Sequence, residues 1–138
     1  MSDQSPQRLR FVSLETESIP EGPTRATVTL GLPPDRRFVG TAECPETPTG
    51  GLRCAAEATL DALGGAMGDS GATIELIGAR SVKAFNATVV IVALSAHRAD
   101  GTRRLVGSYL AEKNVERGAA IAVLNATNRF LGVTMYWG

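Results

Sequence analysis

The sequence predicts an α+β fold: one antiparallel β-sheet of five to six strands with two α-helices packed on one face, in the order β-β-β-α-β-β-β-α. Three observations lead there. Two segments, Gly51 to Leu63 and Val115 to Leu131, set small and apolar residues at helical i, i+3, i+4 spacing. Each follows several shorter runs with the alternation or continuous apolar character of strands. The runs are joined by tight-turn signals, Pro33-Pro34-Asp35 and Asp100-Gly101, which favour antiparallel hairpins.

At 138 residues the chain is long enough for a single core. Residues 1–7 are polar and are expected to be disordered, residues 8–132 form one α+β domain, and residues 133–138 are an apolar tail. The first strand carries Leu9, Phe11, Val12 and Leu14, an alternation that slips by one residue as a β-bulge would make it. From Thr24 the alternation is clean. Ala26, Val28, Leu30 and Leu32 share one face, with Arg25, Thr27 and Thr29 on the other. Arg37 to Glu43 returns as the hairpin partner.

The first helix buries Leu52, Ala55, Ala56, Thr59, Leu60 and Leu63, and Gly64-Gly65 reads as its stop. Ile74 to Ala84 is the next strand. Thr88 to Ala96 is apolar on both faces, the mark of a central strand covered on both sides. Thr102 to Ala111 follows the Asp-Gly turn. Asn114 caps the last helix, whose buried stripe is Ala119, Ala120, Val123, Leu124, Thr127 and Leu131, with Gly132 as its end. No repeat at a solenoid period is visible.

Fourteen basic and fourteen acidic residues cancel and are interspersed, so no positive field draws nucleic acid or anionic lipid. No signal peptide opens the chain and no apolar run is long enough for a membrane, so the expected compartment is the cytoplasm. Cys44 and Cys54 are expected to be reduced thiols there. The only histidine, His97, lies two residues from Ser95 at a strand end, and this is read as an ordinary edge position. Glu57 and Asp61, with Arg53, look like a solvated helix face. No spacing suits a metal, and no cofactor is expected.

The strand Arg104-Leu105-Val106-Gly107-Ser108, which leads through Asn114-Val115 to the small-residue helix ending Ala122-Val123-Leu124-Asn125-Ala126-Thr127-Asn128-Arg129, resembles the C-terminal regulatory domain of 2-isopropylmalate synthases and citramalate synthases. The glycine-led helix Ala55 to Leu63, after Gly50 and Gly51, is similar to the first helix of that domain. The resemblance covers about Val28 to Leu131. It implies dimerisation and binding of an end-product amino acid at Gly50, Gly51 and Leu52 on one side and Gly107 and Ser108 on the other. The family's GNGP-like run is replaced by Pro48-Thr49-Gly50-Gly51-Leu52-Arg53, and no catalytic barrel accompanies the domain, so a free-standing version is expected.

The functional expectation is a non-enzymatic, homo-oligomeric binding or scaffold domain that senses a small carboxylate metabolite. A single sheet with helices on one side would expose Val90, Val92 and Leu94 or their neighbours, and a second copy would cover them. Met135, Tyr136 and Trp137 are expected to add to that interface. The alternatives are a small enzyme with a site between subunits, or a module like a double-stranded-RNA-binding domain; nucleic acid and membrane are not expected partners.

Overall fold

The computed structural model describes residues 9–45, 47, 50–68 and 72–134, with side chains up to residue 128. The elements are β1 (Arg10–Ser18), β2 (Thr24–Leu32), β3 (Arg36–Cys44), α1 (Gly50–Met67), β4 (Thr73–Ala84), β5 (Ala87–Arg98), β6 (Gly101–Ala111) and α2 (Val115–Thr134). The fold is α+β, but the strands make two antiparallel sheets of three, β1-β2-β3 and β4-β5-β6, rather than one sheet of five or six. Local hairpin connections satisfy every strand neighbour within each half. The chain then crosses through α1, and β4 starts a new sheet instead of joining β3.

The molecule is consequently two βββα units. Each helix lies on the last two strands of its own unit and also reaches the other unit, α1 touching β4 and α2 touching β1, while the helices pack on each other. The sequence carries this repeat. Arg36-Arg37-Phe38-Val39-Gly40-Thr41 returns as Arg103-Arg104-Leu105-Val106-Gly107-Ser108, and Ala55-Ala56-Glu57-Ala58-Thr59-Leu60-Asp61-Ala62 as Ala119-Ala120-Ile121-Ala122-Val123-Leu124-Asn125-Ala126. Both units also carry a register shift in their first strand, between Phe11 and Ser13 and between Leu76 and Gly78. The repeat unit is about half the chain, longer than the periods of solenoid repeats.

The repeated glycines set the helix-to-sheet distance. A Cβ on Gly40 would overlap the Ala58 carbonyl oxygen and the Ala62 amide, and a Cβ on Gly107 would overlap the Ala122 carbonyl oxygen. Backbone therefore rests on backbone at two equivalent places, which only glycine on the strand and alanine on the helix permit. Next to each glycine one polar side chain ties helix to strand. Asp61 Oδ2 accepts the Thr41 N–H at 2.9 Å, and Asn125 Nδ2 donates to the Ser108 carbonyl at 3.0 Å.

The core lies between each sheet and its helix, and the two halves share it. Ala26, Val28, Leu30 and Leu32 meet Ala58, Ala62 and Leu63 in the first unit, and Leu124 of α2 joins that cluster. Val92 and Leu94 meet Ala122, Val123 and Ala126 in the second, joined by Ala56 of α1. Inside α1 and α2, the buried Thr59 and Thr127 hydroxyls donate to the Ala55 and Val123 carbonyls at 2.7 and 2.9 Å, so neither is left unsatisfied. Asn128 closes the units, accepting the Leu9 N–H at 3.3 Å and donating to the Leu9 carbonyl at 3.0 Å.

Helix ends depart from the sequence expectation. α1 runs through Gly64-Gly65 to Met67, because the residue that turns left-handed is Gly68, φ +54°, whose N–H donates to the Gly64 carbonyl at 3.2 Å. α2 passes Gly132 and ends at Thr134, so Val133 and Thr134 belong to the helix and not to a tail. Asn114 caps α2 as expected, its Oδ1 accepting the Arg117 N–H at 3.0 Å. Residues 1–7 and 135–138 lie outside the described residues.

The backbone contacts predict that Gly40→Val and Gly107→Val each force helix from sheet, at a cost of about 1–3 kcal/mol or more. Urea melts followed by circular dichroism would measure it, with Gly64→Ala, which meets nothing within 4 Å, as the variant expected to hold or gain stability.

Candidate functional site

The expected ligand contacts do not meet at one place. Leu52 is buried in a cluster with Ala55, Val90, Ala111 and Ala119. Gly51 lies against α2: a Cβ there would sit 2.9 Å from Glu116 Oε1. The first turn of α1 has no acidic residue of its own, so Glu116, from the first turn of α2, brings the carboxylate that a helix N-terminus attracts. Gly50 packs against the Pro45 carbonyl. Gly107 is enclosed by Ala122 and Ala126, about two turns further along α2 than Glu116. Ser108 points away from α2, on the exposed face of the second sheet.

The interface expectation also changes residues. Val90, Val92 and Leu94 are fully buried inside the chain itself, under α1 and α2, and cannot meet a partner. Their neighbours Val89, Ile91 and Ala93 point the other way, because successive strand residues alternate faces. They form an outward apolar patch. Val82, Val89 and Leu110 make one cross-strand row, Ala93 and Val106 another, and between them Ile91 stands with Arg80 and Ser108 on either side. Val106 is 60% exposed, Leu110 52% and the bulged Ile77 47%. Met135, Tyr136 and Trp137 fall outside the described residues.

At the end of that patch is the β4–β5 turn, where Phe85 and Asn86 both have positive φ, 54° and 59°. Two left-handed residues make the tight hairpin turn that matches strand twist. Asparagine suits it; phenylalanine does not, and costs on the order of 1–2 kcal/mol there. Phe85 is also 99% exposed. A bulky ring in a disfavoured conformation, held wholly in water, is not explained by the fold of this chain.

The equivalent face of the first sheet is polar. Ser13, Glu15, Thr27, Thr29 and Thr41 occupy it, with Arg25 donating from Nε to Glu43 Oε2 at 2.9 Å. Hydrogen bonding and charge of Glu43 push the Arg25 pKa above its ordinary value. Val39, the repeat partner of Val106, and the bulged Val12 are the exposed apolar side chains among them.

His97 and Ser95, two apart on β5, share a face. His97 Nε2 lies 3.3 Å from Ser95 Oγ and 3.1 Å from Glu75 Oε1, and Nδ1 lies 3.0 Å from Thr102 Oγ1. A nucleophilic relay needs the hydroxyl and the carboxylate on opposite ring nitrogens. Here both share Nε2, so the cluster is a surface network. Among the described residues no group of three or more metal-ligating side chains occurs, and no helix is long and apolar enough to cross a membrane.

Cys44 and Cys54 are free and buried. The Cys54 thiol donates to the Ala42 carbonyl at 3.3 Å, and burial together with the neighbouring Cys44 thiol pushes its pKa up to about 12. Compared with known proteins, the chain matches no family model and no curated protein.

The raised thiol predicts that Cys54 in the folded protein resists Ellman's reagent at pH 8, while both cysteines react once the chain is unfolded. It also predicts the direction of alkaline denaturation. The unfolded thiol titrates near 9.0 and the folded one near 12, so this contribution is complete below pH 9 and is lost as pH rises. Stability should therefore fall as pH rises through that window, measurable by urea melts at stepped pH.

Proposed function

We propose that this chain is a non-enzymatic binding or scaffold domain that pairs with a second copy of itself through the outer face of the β4-β5-β6 sheet. The observation that carries the reading is the contrast between the two repeated units: Arg25, Thr27 and Glu43 on the outer face of the first correspond to Val89, Ile91 and Leu110 in the second, while Val39 and Val106 are apolar in both and Thr41 and Ser108 polar in both. Solubility favours the polar version on a free surface. The strands of the second sheet are 12, 12 and 11 residues long. A face of that length and three strands wide offers on the order of 500 Å². With Phe85 added at its end, it approaches the roughly 800 Å² per partner of a standard interface. A two-fold contact would set each apolar row against its copy, and Phe85 would find an apolar surface to cover it.

The resemblance to the regulatory domain of 2-isopropylmalate and citramalate synthases supports self-association, and it rests on element order and on the Val106-Gly107-Ser108 strand with its alanine-rich helix. The proposal is a divergent domain of that type.

Light scattering at tens of micromolar protein should give a mass near twice the 14.5 kDa of the chain. Val106→Lys and Leu110→Lys should return it to monomer without loss of helix signal, because a charge in a dry interface costs several kcal/mol. Val39→Lys should change nothing. Phe85→Gly should raise the stability of the monomer while weakening association, two effects of opposite sign that a merely structural turn residue would not give. A wild-type protein that stays monomeric at hundreds of micromolar contradicts the proposal.

A further inference from the structure

A cavity of about 360 Å³ opens beside the β2–β3 turn, on the first unit, and its walls include Arg10, Val12, Gly31, Pro34, Arg36 and Arg37. Strand register explains it. Arg10 pairs with Gly31 across β1–β2, and Gly31 pairs with Arg37 across β2–β3, so the three form one row. Gly31 contributes no side chain to that row. The notch is bounded by the bulged Val12, whose Cγ2 would lie 3.1 Å from a Cβ on Gly31, and by the stem of Arg37. Two arginines rooted about 10 Å apart therefore flank a position that carries no side chain of its own and over which the Val12 methyl leans, with the Arg36 backbone at the turn.

Among the described residues no carboxylate forms an ion pair with Arg10 or Arg37. Arg25, by contrast, is bound to Glu17 and Glu43. Arg36 stacks over the Phe38 ring at 5.1 Å. The one carboxylate in the cavity wall is Asp35. With the Arg36 guanidinium on Phe38, at the other face of the sheet, Arg10 and Arg37 against Asp35 still leave an excess positive charge at the notch, in a chain whose net charge is zero.

The second unit shows what the same place looks like when it is closed. Counted from the bulge and from the repeated Val-Gly pair, the row Arg10–Gly31–Arg37 corresponds to Glu75–Ser95–Arg104. There the acid stands where Arg10 is, serine stands where the glycine leaves a gap, and His97 bridges them through Nε2, 3.1 Å from Glu75 and 3.3 Å from Ser95. The first unit thus has base in place of acid, and a bare glycine beside the Val12 methyl in place of a hydroxyl. Shape and charge change together at one spot.

We infer that the Arg10–Gly31–Arg37 notch is a binding site for a small molecule bearing a multiply charged oxyanion, a phosphate or dicarboxylate group held by the guanidinium forks, with its uncharged part against Val12 and the Pro33-Pro34 turn. Guanidinium is the side chain that matches such groups with paired hydrogen bonds. A cavity of this volume suits a small metabolite rather than a polymer. The site lies on the first sheet, apart from the apolar face of the second, and stands independently of self-association.

The test is a titration of the full chain with inorganic phosphate, pyrophosphate and succinate at fixed ionic strength, read by backbone amide shifts in nuclear magnetic resonance. Saturable shifts centred on Gly31 and Arg37 are expected, and whichever of the phosphate or dicarboxylate arms binds tighter identifies the head group. Arg10→Glu, which copies the second unit, should weaken binding at least tenfold, and Gly31→Ser should weaken it without a change of charge. Both follow a pattern the fold already carries once. Arg104→Ala in the second unit should leave affinity unchanged. Shifts that never saturate at tens of millimolar, or an Arg10→Glu variant that binds as well as the wild type, would overturn the assignment.

Discussion

Two contacts of backbone on backbone govern this structure: Gly40 of β3 under α1, and Gly107 of β6 under α2. A helix seated that low over a sheet leaves no room for large side chains between them. The buried faces of both helices are therefore rich in alanine beside these glycines, with Leu63, Val123 and Leu124 filling the space further off and threonine hydroxyls folded back onto their own carbonyls. Aromatic residues make up only 5% of the chain, and the core fills by proximity rather than by bulk. The same closeness lets each helix touch both units, so neither βββα half has a core of its own.

Because the two units repeat one plan, each serves as the reference for the other. Positions that pack the helix against the sheet are the same in both: glycine, alanine, and one Asp or Asn bond to the strand. Positions facing outward have diverged. Thr29 and Thr41 in one unit face a polar surface, whereas Ile91, Val106 and Leu110 in the other face an apolar one, and Arg10 replaces the acid that Glu75 supplies. Buried positions away from the glycines differ as well, Thr59 against Val123 and Leu63 against Thr127, so the shared plan is held by the glycine contacts rather than by every core residue.

Much of the fold was legible. Alternation from Thr24, the two hairpin turns and the Asn114 cap follow from local chemistry, and the structure keeps all of them. The division into two sheets was not legible, because strand neighbours across a helical crossover depend on packing that no local pattern records. The repeat was present in plain residues, Arg-Arg-Phe-Val-Gly-Thr and Arg-Arg-Leu-Val-Gly-Ser, at a spacing of half the chain. Seeing it would have identified Gly107 as a packing residue, since Gly40 cannot serve the same ligand. The choice of Val90 over Val89 as the exposed set on β5 could not be made from a strand apolar on both sides; only the position of the helices decides it. Arg10 and Arg37 were invisible as a pair because register across three strands brings them to one row.

The most direct measurement of the account is a methyl spectrum of isotopically labelled protein recorded from micromolar to near-millimolar concentration. Paired second sheets predict that the methyl signals of Ile91, Val106 and Leu110 move with concentration while those of Val39 and Val12, on the first sheet, stay fixed. Signals that are all independent of concentration, or a shift at Val39 as large as that at Val106, would contradict it.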